Sequence, residues 1–343
     1  MKRFLAILLS VALMLGMCAC GGTTDQPDDS TQNVAADPTL PENPETLKIL
    51  TLGHSLAVDS GHMLALIAAA EGYDGLKVGT LYYSGCRLSQ HLKFLENDEP
   101  AYKLYLSDSS NPSTPTITSD FTMKNALRFD NWDVIIMQDG AWESAEDAQY
   151  KDGELEKIQA YVNEHKLNPN AVFAWHMYWV YPTDPELQAM HPNQPSPVTE
   201  GYVAYGNDRA TLYNSVTECV KNNILTNKTF AAVIPTGTAI ENAHTTYMGD
   251  KDLYRDYAHA SDFGRVIAGY VWYCTLLGID HLDDIKLTGI PKAYFQSNSG
   301  PQDITFTQLD KDIIIESVNN ALKNPYQVTQ SQYTEAPEGY VAP

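Results

Sequence analysis

The sequence predicts a three-layer α/β/α domain built around a five-stranded, mostly parallel sheet. Short apolar runs alternate with helical patterns over roughly 280 residues, and this alternation is typical of βαβ units with helices on both faces of the sheet. The chain shows no internal repeat, so a solenoid or propeller is not expected. The predicted strands cover 47–52, 76–83, 132–138, 171–178 and 230–235, and the helices that follow them cover 60–71, 86–96, 152–165, 206–222 and 261–277.

Two segments interrupt the alternation. Residues 102–124 are polar and predict a β-hairpin around Ser110-Asn111-Pro112, whereas residues 180–200 are rich in proline and predict irregular structure. Both follow strand–helix units on the side where a site would lie, because ligands of such sheets bind at the carboxyl ends of the strands. Long loops at that edge are expected to shape a pocket, and 180–200 could serve as a lid.

The N-terminus predicts export. Lys2 and Arg3 precede an apolar run that is too short to span a bilayer, so residues 1–19 are interpreted as a lipoprotein signal peptide, with a plain cleaved signal as the alternative. Cys20 follows a small alanine and is therefore a better lipidation site than Cys18. Residues 20–45 are acidic and proline-rich, which predicts a flexible tether before one large α/β domain at 46–325 and a polar tail at 326–343.

The net charge restricts the classes of partner that the chain is expected to bind, and the cysteine spacing indicates the state of its thiols. The formal net charge of −21 repels nucleic acid and anionic lipid headgroups, so a membrane contact is expected only through the N-terminal lipid. The 21 Tyr and 5 Trp suit stacking on sugars, but they also fill cores. Cys86, Cys219 and Cys274 form no CxxC pair and are expected to be buried thiols, with at most one disulfide.

The predicted strand ends carry polar residues that suit acyl transfer. Strand one ends in Gly53-His54-Ser55, and a serine nucleophile needs a histidine base that is oriented by a carboxylate. Asp256 and His259 are three residues apart, so a tight turn brings them to one face. Each piece has a structural alternative, since such a pair is often a surface ion pair and Gly-His-Ser often a simple turn. The order of these residues along the chain favours the interpretation that they are catalytic.

That order resembles the SGNH (GDSL-like) hydrolase superfamily, whose members are esterases, lipases and carbohydrate deacetylases. The resemblance runs from about residue 47 to 278 and is carried by five stretches: LTLGHS, GTLYYSGCRLSQH, WDVIIMQDGAWES, WHMYWVYP and the segment from VIPTGTAIENAH to RDYAHASDFGR. Within the superfamily the chain is similar to an uncharacterised subfamily of bacterial SGNH-like lipoproteins. The resemblance implies a flavodoxin-like sheet and a Ser-His-Asp mechanism.

The resemblance assigns roles residue by residue. Ser55 matches the nucleophile, and Asp256 and His259 match the acid–base pair. The backbone N–H groups of Ser55 and Gly85 and the side-chain amide of Gln138 match the oxyanion hole, with Gln138 where better-known SGNH enzymes have Asn. Two residues depart from the pattern: His54 replaces the usual Asp or Asn before the serine, and Asp139 would place a negative charge near the oxyanion.

Further residues are expected to contact substrate because they lie near strand ends. This set consists of His54, His176, Trp179, Trp142 and Asn242. Trp142, Tyr178 and Trp179 could form a platform for a sugar ring, although core packing is an equal alternative. His176 could instead be a hydrogen-bonded core histidine.

The sequence therefore predicts an extracytoplasmic, lipid-anchored serine esterase that removes O-acetyl or similar acyl groups from glycans and needs no cofactor. The alternative is a non-catalytic glycan-binding lipoprotein on a degenerate SGNH fold, which would explain the departures at His54 and Asp139. A metal-dependent hydrolase is disfavoured, because neither H-x-H nor H-E-x-x-H spacing occurs. The glycan, the acyl group and the oligomeric state stay open.

Overall fold

The computed structural model describes residues 37–140, 142–294 and 303–341. The predicted signal peptide 1–19, the lipidation site Cys20 and most of the predicted tether lie outside the described residues. The strands of the described residues are β1 (Leu47–Gly53), β2 (Leu76–Tyr82), β3 (Tyr102–Asp108), β4 (Thr116–Phe121), β5 (Val134–Met137), β6 (Val172–His176), β7 (Phe230–Ile234), β8 (Gly289–Ile290) and β9 (Ile304–Thr305).

The helices lie between these strands and after them. Within the described residues they are α1 (Ser55–His62), α2 (Leu64–Glu71), α3 (Leu88–Glu96), α4 (Met123–Leu127), α5 (Glu154–His165), α6 (Pro185–Ala189), α7 (Pro197–Ala204), α8 (Arg209–Asn223), α9 (Thr236–His244), α10 (Asp250–Leu253), α11 (Asp262–Leu277) and α12 (Gln308–Lys323).

The central sheet confirms the predicted α/β class and corrects its strand count. Within the described residues it has seven strands in the order β4-β3-β2-β1-β5-β6-β7. Strands β1, β2, β5, β6 and β7 are the five predicted strands, and their pairings are parallel. The predicted hairpin 102–124 forms and adds β3 and β4 antiparallel to the edge beside β2. It joins the sheet because alternate residues of β3, Tyr102 and Leu104, are apolar and fully buried.

The first helix begins earlier than predicted. Helicity was expected from residue 60, but α1 begins at Ser55, directly after β1, and α2 follows after a break at Met63. Gly72 ends α2 with φ +87°, a left-handed conformation that favours glycine. The early start places Ser55 in the first turn of a helix, where the backbone N–H groups have no partner within the helix.

Large apolar side chains fill both faces of the sheet. Trp132, Trp175 and Trp272 are at most 1% exposed, and the indole N–H of Trp132 donates to the carbonyl of Ala126 at 2.8 Å. Helix α11 is buried along most of its length, which fits its apolar sequence. The thiols of Cys86, Cys219 and Cys274 are free and buried, as expected.

Residues on both sides of the predicted 46–325 domain are hydrogen-bonded to it. Before β1, the carbonyl of Pro44 accepts a hydrogen bond from the Tyr73 hydroxyl at 2.9 Å, so the last residues of the predicted tether lie against the domain. After α12, the N–H of Thr329 donates to Asn242 at 2.7 Å and the carbonyl of Tyr333 accepts from the N–H of Tyr247 at 2.9 Å. Thr329 and Tyr333 of the predicted tail are therefore held at the C-terminal end of α9 and just after it.

The proline-rich segment 180–200 is more regular than expected. It contains α6 and the start of α7, each with a proline at its first helical position and a side-chain cap from Asp184 or Ser196. Across the described part of the chain, the structure has no helix with the length and apolarity that crossing a membrane requires.

Candidate active site

The turn that carries Ser55 is held by the residue before it. His54 is the N-cap of α1: its Nδ1 accepts the N–H of Leu56 at 3.3 Å, and its Nε2 lies 3.2 Å from the carbonyl oxygen of Asp139. These contacts require a neutral ring with the proton on Nε2. Burial lowers the pKa of His54 to about 3, so the ring is neutral at physiological pH.

Close packing behind the turn leaves little room for a side chain at position 53, which favours glycine there. A Cβ at this position would lie 3.0 Å from Cδ and 3.1 Å from Nε2 of Gln138, and 3.1 Å from Cβ of Ala57. The absence of a side chain therefore lets the amide of Gln138 approach the end of β1.

The candidate acid and base lie in the loop between α10 and α11. Nδ1 of His259 is 2.9 Å from both carboxylate oxygens of Asp256. Oδ1 of Asp256 also accepts the N–H groups of Ala258 and His259, each at 2.9 Å, which fixes the carboxylate within its own turn. Burial alone would raise the pKa of Asp256, but the hydrogen bond and charge of His259 outweigh burial and lower it.

Ser55 and His259 line the same cleft, whose volume is about 450 Å³. With Nδ1 occupied by Asp256, Nε2 is the ring nitrogen left to exchange a proton. No hydrogen bond joins the Ser55 hydroxyl to His259 in the described part of the chain. Such contacts are often long without substrate and tighten in the reacting complex.

Two candidate oxyanion donors face the cleft, and the third lies behind it. Gly85, in the loop after β2, lines the cleft with φ +59°, a left-handed conformation that suits glycine. Gln138, in contrast, is 2% exposed and does not line the cleft. Its Oε1 lies 2.9 Å from Nδ1 of His176, and its Nε2 has no hydrogen-bond partner among the described residues. An unpaired buried donor is unusual, and this one lies beside the turn that carries Ser55.

Aromatic side chains form one wall of the cleft. Trp142, Tyr181 and Tyr257 line it together, with the Trp142 ring 4.8 Å from Tyr181 and stacked 6.1 Å from Tyr257. The backbone of Trp142 has φ +79°, which is strained for a bulky residue, and its N–H donates to the Tyr181 hydroxyl at 3.1 Å. Arg87 lies on the cleft as well and pairs with Glu143 at 3.0 Å.

The family of the chain follows from comparison with known proteins. A family model described as a domain of unknown function, DUF4886, matches residues 48–287. The chain belongs to the DUF4886 family. The match covers the five parallel strands, apart from Leu47 at the start of β1, and every candidate triad residue.

The solved structure of a DUF4886 family protein from Bacteroides uniformis ATCC 8492 is similar to this chain, with 24% sequence identity and a TM-score of 0.67 over 84% of this chain and 100% of the other. The two proteins therefore share a fold. A protein from Slackia heliotrinireducens described as a proposed SGNH hydrolase aligns at 16% identity, with a TM-score of 0.43 over 67% of this chain and 99% of the other.

The Clostridium thermocellum family 3 carbohydrate esterase aligns at 13% identity, with a TM-score of 0.37 over 68% of this chain and 96% of the other. No curated protein matches the chain.

Four of the residues predicted to bind substrate lie in the interior of this DUF4886 chain and not at the cleft. His54 caps α1, and the others are equally enclosed: His176 bonds Gln138 and lies 3.2 Å from the Ser60 hydroxyl, while the indole N–H of Trp179 donates to the carbonyl of Ala258 at 2.9 Å. All three are 0% exposed. Burial lowers the pKa of His176 well below its usual value, so this residue is a neutral core histidine.

Asn242 and Tyr178 are also buried. Asn242 holds the C-terminal segment, donating to the carbonyl of Ser317 at 3.2 Å and accepting from Thr329. Tyr178 donates its hydroxyl to the carbonyl of Gly140 at 2.7 Å, so neither it nor Trp179 belongs to an exposed aromatic platform. Of the predicted substrate-binding residues, Trp142 alone lines the cleft.

Asp139 does not place its carboxyl on the cleft surface. The side chain is 2% exposed and accepts the Tyr150 hydroxyl at 3.3 Å. Burial raises the pKa of the Asp139 carboxyl to about 7, so much of its charge is neutralised near neutral pH. Both departures from the superfamily pattern, His54 and Asp139, are thus accommodated in the interior.

The sequence prediction missed several cleft residues. Tyr82, Arg87, Tyr181 and Tyr257 line the cleft beside the predicted site residues. Their positions offered a signal: Tyr257 lies between Asp256 and His259, and Arg87 is two residues after Gly85. Residues next to a reactive residue on a loop often share its pocket, and tyrosine and arginine suit carbohydrate contacts.

Proposed function

We propose that this chain is a serine esterase that removes acetyl or similar acyl groups from glycans. The observation that carries the proposal is the shared cleft of Ser55 and His259, with both carboxylate oxygens of Asp256 at 2.9 Å from Nδ1 of His259. A nucleophile, a base with one free nitrogen and a carboxylate that fixes its tautomer are the parts of an acyl-transfer triad.

The proposed reaction has two steps. Ser55 Oγ attacks the ester carbonyl carbon while Nε2 of His259 takes the hydroxyl proton, and the proton then passes to the departing alcohol as its C–O bond breaks. Water attacks the resulting acyl-serine, again giving a proton to His259, which returns it to Ser55 as the carboxylic acid leaves. The backbone N–H groups of Ser55 and Gly85, together with Nε2 of Gln138, would stabilise the oxyanion of each tetrahedral intermediate.

The cleft supports a sugar-bearing substrate. The aromatic rings of Trp142 and Tyr257 lie at the cleft beside His259, and Tyr82 and Tyr181 line the same surface. Aromatic faces with nearby hydrogen-bonding groups suit the apolar face and the hydroxyls of a pyranose. The net charge of −21 disfavours nucleic acid as a partner.

The proposed location is outside the cytoplasm, anchored by lipid at Cys20. The support is the sequence pattern of residues 1–20, a basic start, a short apolar run and a cysteine after a small residue. In this arrangement the domain would meet glycans at the bacterial cell surface.

The test is hydrolysis of a small activated acetyl ester by the purified protein, beside Ser55→Ala. A matched control is Ser89→Ala, because Ser89 is exposed on α3 and does not line the cleft. We expect Ser55→Ala to lose about 10³-fold or more in kcat while Ser89→Ala keeps its rate. Equal rates in the wild type and Ser55→Ala would remove Ser55 from the reaction.

A non-catalytic glycan-binding protein is the second candidate. It would use the same cleft and its aromatic wall of Trp142, Tyr181 and Tyr257 to hold a glycan without cleaving an ester. This candidate predicts that the wild type binds acetylated oligosaccharides in calorimetry with no loss of acetate. Release of acetate from such a ligand by the wild type, and not by Ser55→Ala, would rule it out.

A further inference from the structure

A buried carboxylate joins the helix that carries Ser55 to the loop that carries Asp256 and His259. Asp59 lies on α1, four residues after Ser55, and is 1% exposed. Its Oδ2 accepts the backbone N–H of Ala260 at 3.0 Å and a guanidinium N–H of Arg255 at 3.0 Å. The bonds therefore reach the residue just before Asp256 and the residue just after His259.

The second oxygen of the Asp59 carboxylate is held by a side chain of α11. Oδ1 of Asp59 accepts two N–H groups of Arg265, from Nε at 3.0 Å and Nη2 at 2.9 Å, and Arg265 lies in the first turn of α11. Arg265 also pairs with Asp262 at 2.9 Å. Burial alone would raise the pKa of Asp59, but Arg265 and Arg255 outweigh it and hold the pKa well below its usual range, so the carboxylate is ionised.

The loop is closed at its base by its own contacts. The N–H of Arg255 donates to the carbonyl of His259 at 3.0 Å, and the guanidinium of Arg255 bonds the carbonyl of Ala260. Tyr254 and Ala260 form an antiparallel bridge. The loop is consequently a small rigid unit, and the carboxylate of Asp59 ties this unit to α1.

We propose that Asp59 is a positioning residue that sets the distance and angle between Ser55 and His259. Two of its four hydrogen bonds link the nucleophile helix to the two ends of the Asp256–His259 turn, and the other two fix the same carboxylate to Arg265 of α11. A shift of the helix or the turn is therefore resisted by a buried, charge-assisted contact. This inference rests on the proposed esterase function. Asp59 touches neither substrate nor the reacting atoms in this scheme, and acts through the elements it connects.

The test compares Asp59→Asn with the wild type on the small activated ester, using the full chain. Asn keeps the shape of the side chain but removes its charge and one acceptor. We expect kcat to fall roughly 10–100-fold with KM within about 3-fold, because a misplacement of about 1 Å between reacting groups has an effect of that size. The melting temperature, measured in parallel, separates this loss from unfolding.

Asp262→Asn is the matched control. It removes a carboxylate from the same Arg265 but leaves every contact between α1 and the loop intact. We expect its kcat to stay within about 2-fold of the wild type, since the distance between nucleophile and base does not depend on it.

Variants of Arg255 provide a second test of the proposal if Asp59→Asn does not fold. Its side chain is 38% exposed, so Arg255→Met removes the guanidinium contacts with Asp59 and Ala260, while Asp59 keeps the N–H of Ala260 and its pair with Arg265. We expect Arg255→Met to lose roughly 10-fold in kcat and Arg255→Lys, which keeps a cation, to recover most of that loss.

Three results would overturn the proposal: an Asp59→Asn kcat within 2-fold of the wild type, an equal loss in Asp262→Asn, or a loss that only matches the unfolded fraction. If Asp59→Asn does not fold, an unchanged kcat in Arg255→Met overturns it. Failure of the esterase function is recognised separately, because Ser55→Ala would then match the wild type while Asp59 is intact, and the positioning role would fall with it.

Discussion

Both carboxylate oxygens of Asp256 lie 2.9 Å from Nδ1 of His259, and one of them also accepts the backbone N–H of His259. The histidine is thus held through its ring and its main chain by one side chain three residues earlier. A carboxylate placed in this way fixes the tautomer that leaves Nε2 free to accept a proton, and it stabilises the imidazolium that follows.

Replacement of Asp256 by Asn tests this orienting role. The Asn oxygen can still accept the N–H groups of Ala258 and His259, so the turn should persist. The amide N–H₂ would face Nδ1 and favour the wrong tautomer, and we expect kcat to fall about 10³–10⁴-fold on the activated ester. A loss below 10-fold, with the melting temperature unchanged, would show that His259 does not depend on Asp256.

Truncation of Gln138 to Ala tests whether its side-chain amide is the third oxyanion donor, as proposed. We expect kcat to fall about 10²–10³-fold with little change in KM, because the amide would act on the oxyanion and not on the bound ester. Gln159→Ala is the matched control, since Gln159 is also buried but bonds Thr229 away from the cleft. Equal effects of the two truncations would mean that Gln138 serves only the core.

Replacement of Trp142 by Gly tests the aromatic wall. Glycine accepts φ +79° without strain, so the turn should be kept while the stacking face is lost. On an acetylated oligosaccharide we expect kcat/KM to fall roughly 10-fold, and on the small ester to change little. Phe129→Ala, at an exposed aromatic residue outside the cleft, is the control. An equal fall on both esters would indicate damage to the triad instead of a lost sugar contact.

The pH dependence of stability tests the buried carboxyl of Asp139. In the folded protein burial raises its pKa to about 7, whereas the unfolded chain loses this proton near pH 4, so between these values the folded state binds more protons. The contribution of Asp139 is thus fully present below about pH 4 and is lost as pH rises through about 7, by an amount on the order of 4 kcal/mol.

Asp139→Asn lacks this titration. We measure the free energy of unfolding of Asp139→Asn and of the wild type in urea. We expect the variant's value minus the wild-type value to increase as pH rises from 4 to 8. Other carboxylates titrate equally in both proteins and cancel in the difference. A difference that does not change with pH would mean that Asp139 is ionised in the folded protein.

Much of the fold could be predicted because its signals are local. Each parallel strand is a short apolar run, and the helices repeat apolar residues at helical spacing, so the five strands and four of the five predicted helices appear where they were expected. The first helix begins five residues early, at Ser55. The pairing of Asp256 with His259 is local too, since three residues separate them. The hairpin was predicted, but its addition to the edge of β2 was not, because strand neighbours lie far apart in sequence.

Exposure of the polar side chains could not be predicted in the same way. His54, His176, Trp179 and Asn242 follow or precede strand ends as cleft residues do, yet each is enclosed by segments distant in sequence. The partner of His176 is Gln138, 38 residues away, and the partner of Asn242 is Thr329, 87 residues away. Such burial depends on the packing of whole elements and leaves no local pattern.

The sequence by itself determined the α/β class, the order of the elements and the edge of the sheet at which Ser55, Gly85 and the Asp256–His259 pair are found, because apolar periodicity and short spacings act within a few residues of chain. Only the tertiary structure decided which side chains face the cleft, and only it joined Asp59 to Arg255 and Arg265 across 196 and 206 residues. Contacts at that separation form when the packed elements bring buried charges together, since a buried carboxylate must find its partners wherever the fold places them.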